Sequence, residues 1–287
     1  MTAKNSKKID SKSVGLDIGL SFSRWLTGHE NLHYGLWTGL EINAGNVGPA
    51  QEAYTTKLFA LLPKGTLRIL DIGGGAGETA RKLVALGHTV EIVVPSAFLA
   101  DRCRRNAPEA TVHESTFEDA NLSGPFDVCL FSESYQYIPL ADGLSKCLDL
   151  LTKDGTIIIA DCFRSETFAP DAIHATVGGG HPIAKFRALV ADLPITATSE
   201  EDITAAVAPS IDVEQGLFNV VGYGLTRADE QLSVQRPRTR KIIHWVMRRF
   251  LSERRRARLD QRLNQQTRTA AHFMANNTYL MMTFVRS

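Results

Sequence analysis

Apolar positions along this chain change their period as it runs. From Val14 to about Leu62 they recur mostly at helical spacing, with Trp25, Tyr34 and Trp37 among them, and Gly28, Gly35, Gly45 and Gly48 interrupt the run. That spacing predicts short helices separated at the glycines. The first thirteen residues are Lys/Ser-rich and aperiodic, as expected of a mobile tail. Beyond residue 62 short apolar runs alternate with helical stretches. Strands are predicted at Arg68–Asp71, Thr89–Val94, Ala110–Ser115, Phe126–Phe131 and Thr156–Ala160, with helices at Thr79–Leu86, Ala97–Arg105 and Ala141–Leu151 between them. A sixth strand is expected near Ile195–Ser199 and a last one at Tyr279–Val285.

Strands that are continuous apolar runs and alternate with helices indicate a parallel sheet covered on both faces, and right-handed crossovers make it doubly wound. The expected organisation is a tail (1–13), an N-terminal helical segment (14–62), an α/β core (63–200), a basic helical cap (201–277) inserted over the ligand-binding edge of the sheet, and a last strand of the core (278–287).

Composition adds little until charge is mapped. The net charge is +1, but the segment Arg236–Arg268 alone carries +10 and the remainder −9. Ile242, Ile243, Val246, Phe250 and Leu251 fall at helical spacing within it, which describes an amphipathic basic helix. Three uses fit such a helix: an anionic membrane surface, an acidic carrier protein or phosphate-bearing substrate, or a lid whose apolar face packs on the core while its arginines are solvated. It contains no recognisable nucleic-acid reading module. No apolar stretch reaches the roughly 18 residues needed to cross a bilayer. The four Cys lack any C-x-x-C pair, and His29, His33, His113 and His174 lack ligand spacing, so reduced thiols and no metal are expected in a cytoplasmic protein, peripheral to membrane if the basic helix binds one.

The candidate chemistry begins at Leu70-Asp71-Ile72-Gly73-Gly74-Gly75-Ala76-Gly77-Glu78. A P-loop needs Gly-Lys-Ser/Thr, and Glu78-Thr79 stands there instead. A dinucleotide fingerprint needs a small third residue where Glu78 lies, and two acids flank the position a pyrophosphate would take. S-adenosylmethionine carries no phosphate; its ammonium suits Asp71, and its carboxylate and sugar suit the glycine loop and the following helix start.

The pattern Asp71-x-Gly73-x-Gly75-x-Gly77 resembles the first motif of the class I S-adenosylmethionine-dependent methyltransferases. Gly124-Pro125-Phe126-Asp127-Val128 is similar to the family's approach to its fourth strand, Ser132–Ile138 to the segment beneath the cofactor, and Leu151-Thr152-Lys153-Asp154-Gly155 to its turn before the fifth. Leu32-His33-Tyr34-Gly35-Leu36-Trp37 resembles the His-Tyr-Gly segment of small-molecule members such as the methyltransferase type 11, tocopherol and cyclopropane-lipid groups. The likeness covers about residues 30–165 and the last strand. It implies a Rossmann-like sheet of seven mostly parallel strands, the last antiparallel, and S-adenosyl-L-methionine as cofactor.

It further implies a cofactor site of Tyr34, Asp71, Gly73, Gly75, Gly77, Pro95, Phe117 and Ser132. Val94 stands where the family often has an acid for the ribose hydroxyls, which shifts that contact to backbone near Pro95–Ser96. For the acceptor side, Tyr137 and His181 are the candidate catalytic residues: one of Tyr135 and Tyr137 lines the pocket, and His181, in Gly178-Gly179-Gly180-His181-Pro182, is either a general base or a solvated loop residue. Asp161 either binds the acceptor or caps the next segment. The expected activity is methyl transfer to a small molecule, lipid-like or carrier-bound. The alternatives are cyclopropanation or other S-adenosylmethionine chemistry on a lipid, and a non-catalytic binding subunit with this fold.

Overall fold

A computed structural model describes residues 11–168 and 177–287; most of the expected N-terminal tail, and His174, lie outside the described residues. The helix α1 (Ser11–Thr27) opens the chain and α2 (Val47–Phe59) follows after an irregular stretch. The core then runs β1 (Arg68–Ile72), α3 (Glu78–Ala85), β2 (Thr89–Val94), α4 (Ala97–Asn106), β3 (Thr111–Glu114), β4 (Phe126–Ser132), α5 (Leu140–Leu150), β5 (Leu151–Arg164), α6 (Ile183–Asp192) and β6 (Ile195–Asp202). Helices α7 (Thr204–Val207), α8 (Pro209–Gln235), α9 (Pro237–Phe250), α10 (Glu253–Asn264) and α11 (Ala270–Asn276) separate β6 from β7 (Asn277–Arg286).

The seven strands form one sheet in the order β3-β2-β1-β4-β5-β7-β6. The first five are mutually parallel, and β7 runs antiparallel to both neighbours. Two apolar clusters fill the faces, one around Ile69, Ile92, Val128 and Ile158, the other around Leu70, Phe131, Ile159 and Phe186. Alternate residues of each strand feed opposite clusters, as the period-two geometry requires. The strand order reverses between β1 and β4, so ligands belong outside their carboxyl ends.

Several sequence expectations change: β5 takes in Leu151–Gly155, expected as a turn, and α1 begins at Ser11, within the expected tail. Residues 28–43 are irregular, where short helices were expected. Gly28, at φ +80°, ends α1, and the backbone that follows is satisfied by side chains: Glu30 N–H donates to Glu78 (3.1 Å), Tyr34 N–H to Glu133 (2.8 Å) and Gly35 N–H to Ser210 Oγ (3.0 Å). The basic segment is two helices, and α9 buries none of its residues, so it is no lid with its apolar face on the core. Among the described residues no helix is long and apolar enough to cross a membrane, and no cluster of three His, Cys, Asp or Glu could hold a metal ion.

Candidate active site

At the carboxyl ends of β1, β2 and β4 lies a cleft of about 830 Å³. Asp71, Gly73, Gly75, Pro95, Phe117 and Ser132 all line it, together with the apolar wall Val93, Val94 and Ile138. Helix α1 closes one side through Gly15, Leu16 and Gly19. Asp17 of α1 is held by Arg102 of α4 at 2.8 Å, and Arg102 also reaches the buried Glu30 at 2.6 Å.

Gly75 takes φ +55° at the mouth of the cleft, a conformation unfavourable to β-branched side chains. Gly77 has a different job. A Cβ there would lie 2.9 Å from the Cys103 Cα, so this glycine lets α3 and α4 approach, while its neighbours Ala76 and Glu78 line the cleft. Asp71 is buried, and its Oδ2 accepts no hydrogen bond. Burial without a cationic partner pushes its carboxyl up to about 7. A ligand bringing an ammonium group supplies the missing counter-charge, so the residues present fit S-adenosylmethionine.

The ribose side departs from the expected contact. Val94 is part of the wall, Pro95 has no N–H to offer, and the Ser96 hydroxyl accepts from Leu99 N–H as the cap of α4. Glu91 faces away and pairs with Arg68 (2.6 Å) and His113 (2.7 Å). Polar groups on that side of the cleft come from Thr116 and Glu118. Phe117 is buried edge-to-face on Phe131, and Lys146 anchors its turn by donating to the carbonyls of Phe117, Glu118 and Ala120.

A second, smaller cavity of about 350 Å³ adjoins the first and is lined by charged and polar groups, among them Tyr34, Gln136, Glu214 and Arg268. Leu32, Glu133 and Tyr137 line both cavities. Tyr137 is 80 % exposed, whereas Tyr135 is in the core and donates its hydroxyl to the Leu140 carbonyl. Tyr34 contributes its ring to the smaller cavity, not to the larger one where a cofactor contact was expected.

Glu133 is the residue that sequence reasoning passed over. It follows β4 directly at φ +56°, a strained position for a non-glycine residue and one that recurs at functional sites. Its Oε1 accepts from Tyr34 N–H (2.8 Å) and from the Tyr279 hydroxyl (2.9 Å). Tyr279 in turn meets Tyr54 (2.7 Å), whose hydroxyl lies 3.3 Å from Ser132 Oγ. Desolvation pushes the Glu133 carboxyl up to about 8.

His181 lines neither cavity. Its Nε2 lies 2.9 Å from the Ile138 carbonyl and 3.3 Å from that of Tyr135, so this nitrogen carries the proton and acts as a donor. That geometry makes His181 a brace for the turn carrying Tyr137 and lends the general-base expectation no support. Asp161 is buried and accepts from the Gln136 backbone and side chain and from Cys162 N–H, which makes it a support for Gln136 in place of an acceptor contact.

A buried, unpaired carboxylate beside a glycine loop at the reversal of a doubly wound sheet fits a cofactor that brings a cationic amine. Residues 70–159 match the methyltransferase domain family. The chain is 30% identical over 199 residues to a ubiquinone biosynthesis O-methyltransferase of Cereibacter sphaeroides, an overlap of 62% of this chain and 74% of that one. It is 25% identical over 114 residues to an uncharacterized methyltransferase of Anoxybacillus flavithermus, covering 38% of this chain and about half (54%) of the relative. A cyclopropane synthase from Mycobacterium tuberculosis shares the fold at TM-score 0.66 and 15% identity, over 98% of this chain and all of that one. The chain belongs to the class I S-adenosylmethionine-dependent methyltransferases.

Proposed function

We propose that the protein transfers a methyl group to an oxygen or nitrogen of a small molecule held in the smaller cavity, and that Glu133 takes up the acceptor's proton. What supports this reading is that Glu133 lines both cavities with a carboxyl pushed up to about 8. When bound, S-adenosylmethionine supplies a methyl group on a sulfonium, an electrophile that needs alignment and a dry site more than a protein nucleophile. Asp71 and the loop at Gly73–Gly75 hold the cofactor end. Tyr34 N–H and Tyr279 fix Glu133 Oε1, which leaves Oε2 to meet the acceptor. Transfer would break the sulfonium's bond to the methyl carbon and release a neutral thioether, and Glu133 would take up the proton lost by the acceptor, its affinity for it suiting a base that works near neutral pH. The ubiquinone-pathway relative is named as an O-methyltransferase, which agrees with an oxygen acceptor.

A second reading, cyclopropanation of a lipid alkene, is favoured by Tyr34, which lines the smaller cavity with Phe273 and Tyr279 packed against its ring, because an aromatic face stabilises a passing cation. Incubation of the protein with trideuteromethyl cofactor and a small-molecule extract separates the two. Methylation leaves all three deuterium atoms in the product, and cyclopropanation leaves two. Glu133→Gln lowers the rate of product labelling by about a hundredfold or more while cofactor affinity stays within a few-fold. Bound cofactor with no labelled product from any extract would favour the non-catalytic reading.

A further inference from the structure

Helix α9 is amphipathic, and it is held the wrong way round for a packed lid. Its polar side is clamped to α8: Asp229 accepts from Arg240 Nε (2.9 Å) and Nη2 (2.8 Å) and pairs with His244 Nε2 at 2.8 Å. With 3.6 residues per turn, a helix fixed at Arg240 and His244 turns Ile242 and Val246 to the opposite side, with Phe250 and Ile243 on the flank next to them. Those side chains are in solvent, Ile242 62% and Phe250 75% exposed, with Trp245 beside them at 66%. Arg238 and Arg249 stand between Trp245 and Ile242 on this side of the helix, where their long stems can carry the charge outward, and Lys241 and Arg248 follow towards the clamped side.

We propose that α9 docks the protein on an anionic phospholipid surface, with Ile242, Trp245, Val246 and Phe250 entering the interface and Arg238 and Arg249 meeting lipid phosphates. This inference does not rest on the proposed reaction. Charge complementarity selects the occupant. A second copy of the helix would set cations against cations, since Arg236–Arg268 carries +10. A purely apolar partner would leave Arg238 and Arg249 without counter-charges. A bilayer surface offers both: an apolar depth for the outward face and negative charge at the level its arginines reach, with an indole suited to the boundary. The clamp by Asp229 adds a second feature, because it leaves the apolar face presented before any surface is met.

The test is co-sedimentation of the full chain with phosphatidylcholine vesicles, either pure or containing about one third phosphatidylglycerol. The protein partitions at least about tenfold more strongly to the anionic vesicles, and added salt weakens the association. Trp245→Ala with Phe250→Ala costs about tenfold or more in partitioning. Arg238→Gln with Arg249→Gln removes the preference for anionic lipid. All four residues are exposed and stand outside both cavities, so cofactor binding and thermal unfolding of these variants match the unsubstituted protein. Failure to sediment with anionic vesicles overturns the proposal, as does unchanged sedimentation of the Trp245/Phe250 variant. A dimer in sedimentation velocity that Phe250→Glu dissociates would instead assign the face to a second copy, and would equally overturn it.

Discussion

The two cavities that meet at Glu133 are built on different plans. The larger draws on short contiguous runs at successive strand ends, 71–76, 93–95, 116–118 and 132–134, and its wall is mostly backbone and apolar side chain. The smaller gathers single residues from across the chain: Tyr34, Cys162, Gly179, Glu214 and Arg268. Parallel-sheet topology alone brings the first set together, because every strand end points to the same edge. Only tertiary packing of α8, the segment before α11 and the loop after β5 brings the second. A cofactor common to many proteins can thus be held by a fixed scaffold, while the acceptor is met by parts that vary independently of it.

Perturbations should therefore separate cleanly by cavity. The largest effect expected on the acceptor side is the roughly hundredfold loss of product labelling in Glu133→Gln. Loss of cofactor affinity in that variant would erase the distinction between the cavities. A smaller effect follows from the three buried acids. Asp71 and Asp161 are pushed up to about 7 and Glu133 to about 8, so the folded chain keeps protons that the unfolded chain releases near pH 4. Stability is fully present below the unfolded values and is lost as pH rises through the folded ones. The thermal midpoint of the cofactor-free protein accordingly falls by several degrees between about pH 5 and pH 8. Pairing of the S-adenosylhomocysteine amine with Asp71 is expected to reduce the slope. A midpoint rising over that range would show that these carboxyls have partners. Glu78, lowered against its desolvation first by the Glu30 N–H and then by Arg81, and Glu91, lowered against its own by Arg68 and His113, titrate below this window and do not blur it. The smallest effect belongs to His181→Gln. Loss of a brace leaves labelling within about threefold and costs about 1 kcal/mol of stability, whereas loss of a general base would cost about a hundredfold in rate.

The same contrast governs what the sequence discloses. β-Branched runs bounded by turn residues locate β2 at Thr89–Val94 and the other core strands to within three residues, because period and propensity act locally, except that β5 runs Leu151–Arg164 where only Thr156–Ala160 was expected. The glycine loop is legible for the same reason. Glu133 is not, since nothing in Ser132-Glu133-Ser134 announces a positive φ, and its partners Tyr34 and Tyr279 lie 99 and 146 residues away. His181 misleads because a glycine-rich flank looks free, while the carbonyls that hold its ring belong to a turn more than forty residues earlier. Amphipathic spacing in α9 is read correctly as a pattern, but a pattern cannot say which face turns inward; the ion pairs to Asp229 decide that.

The central claim is that the nucleoside cofactor lies in the larger cleft with its amine against Asp71. Calorimetric titration of S-adenosylhomocysteine into the unsubstituted protein, Gly75→Val and Asp71→Asn tests it most directly. The account predicts micromolar binding to the unsubstituted protein, a loss of about a hundredfold or more when a branched side chain enters at Gly75, and a loss of about tenfold or more when Asp71 gives up its charge. Equal affinity in all three folded proteins, or no binding to the first, would contradict it.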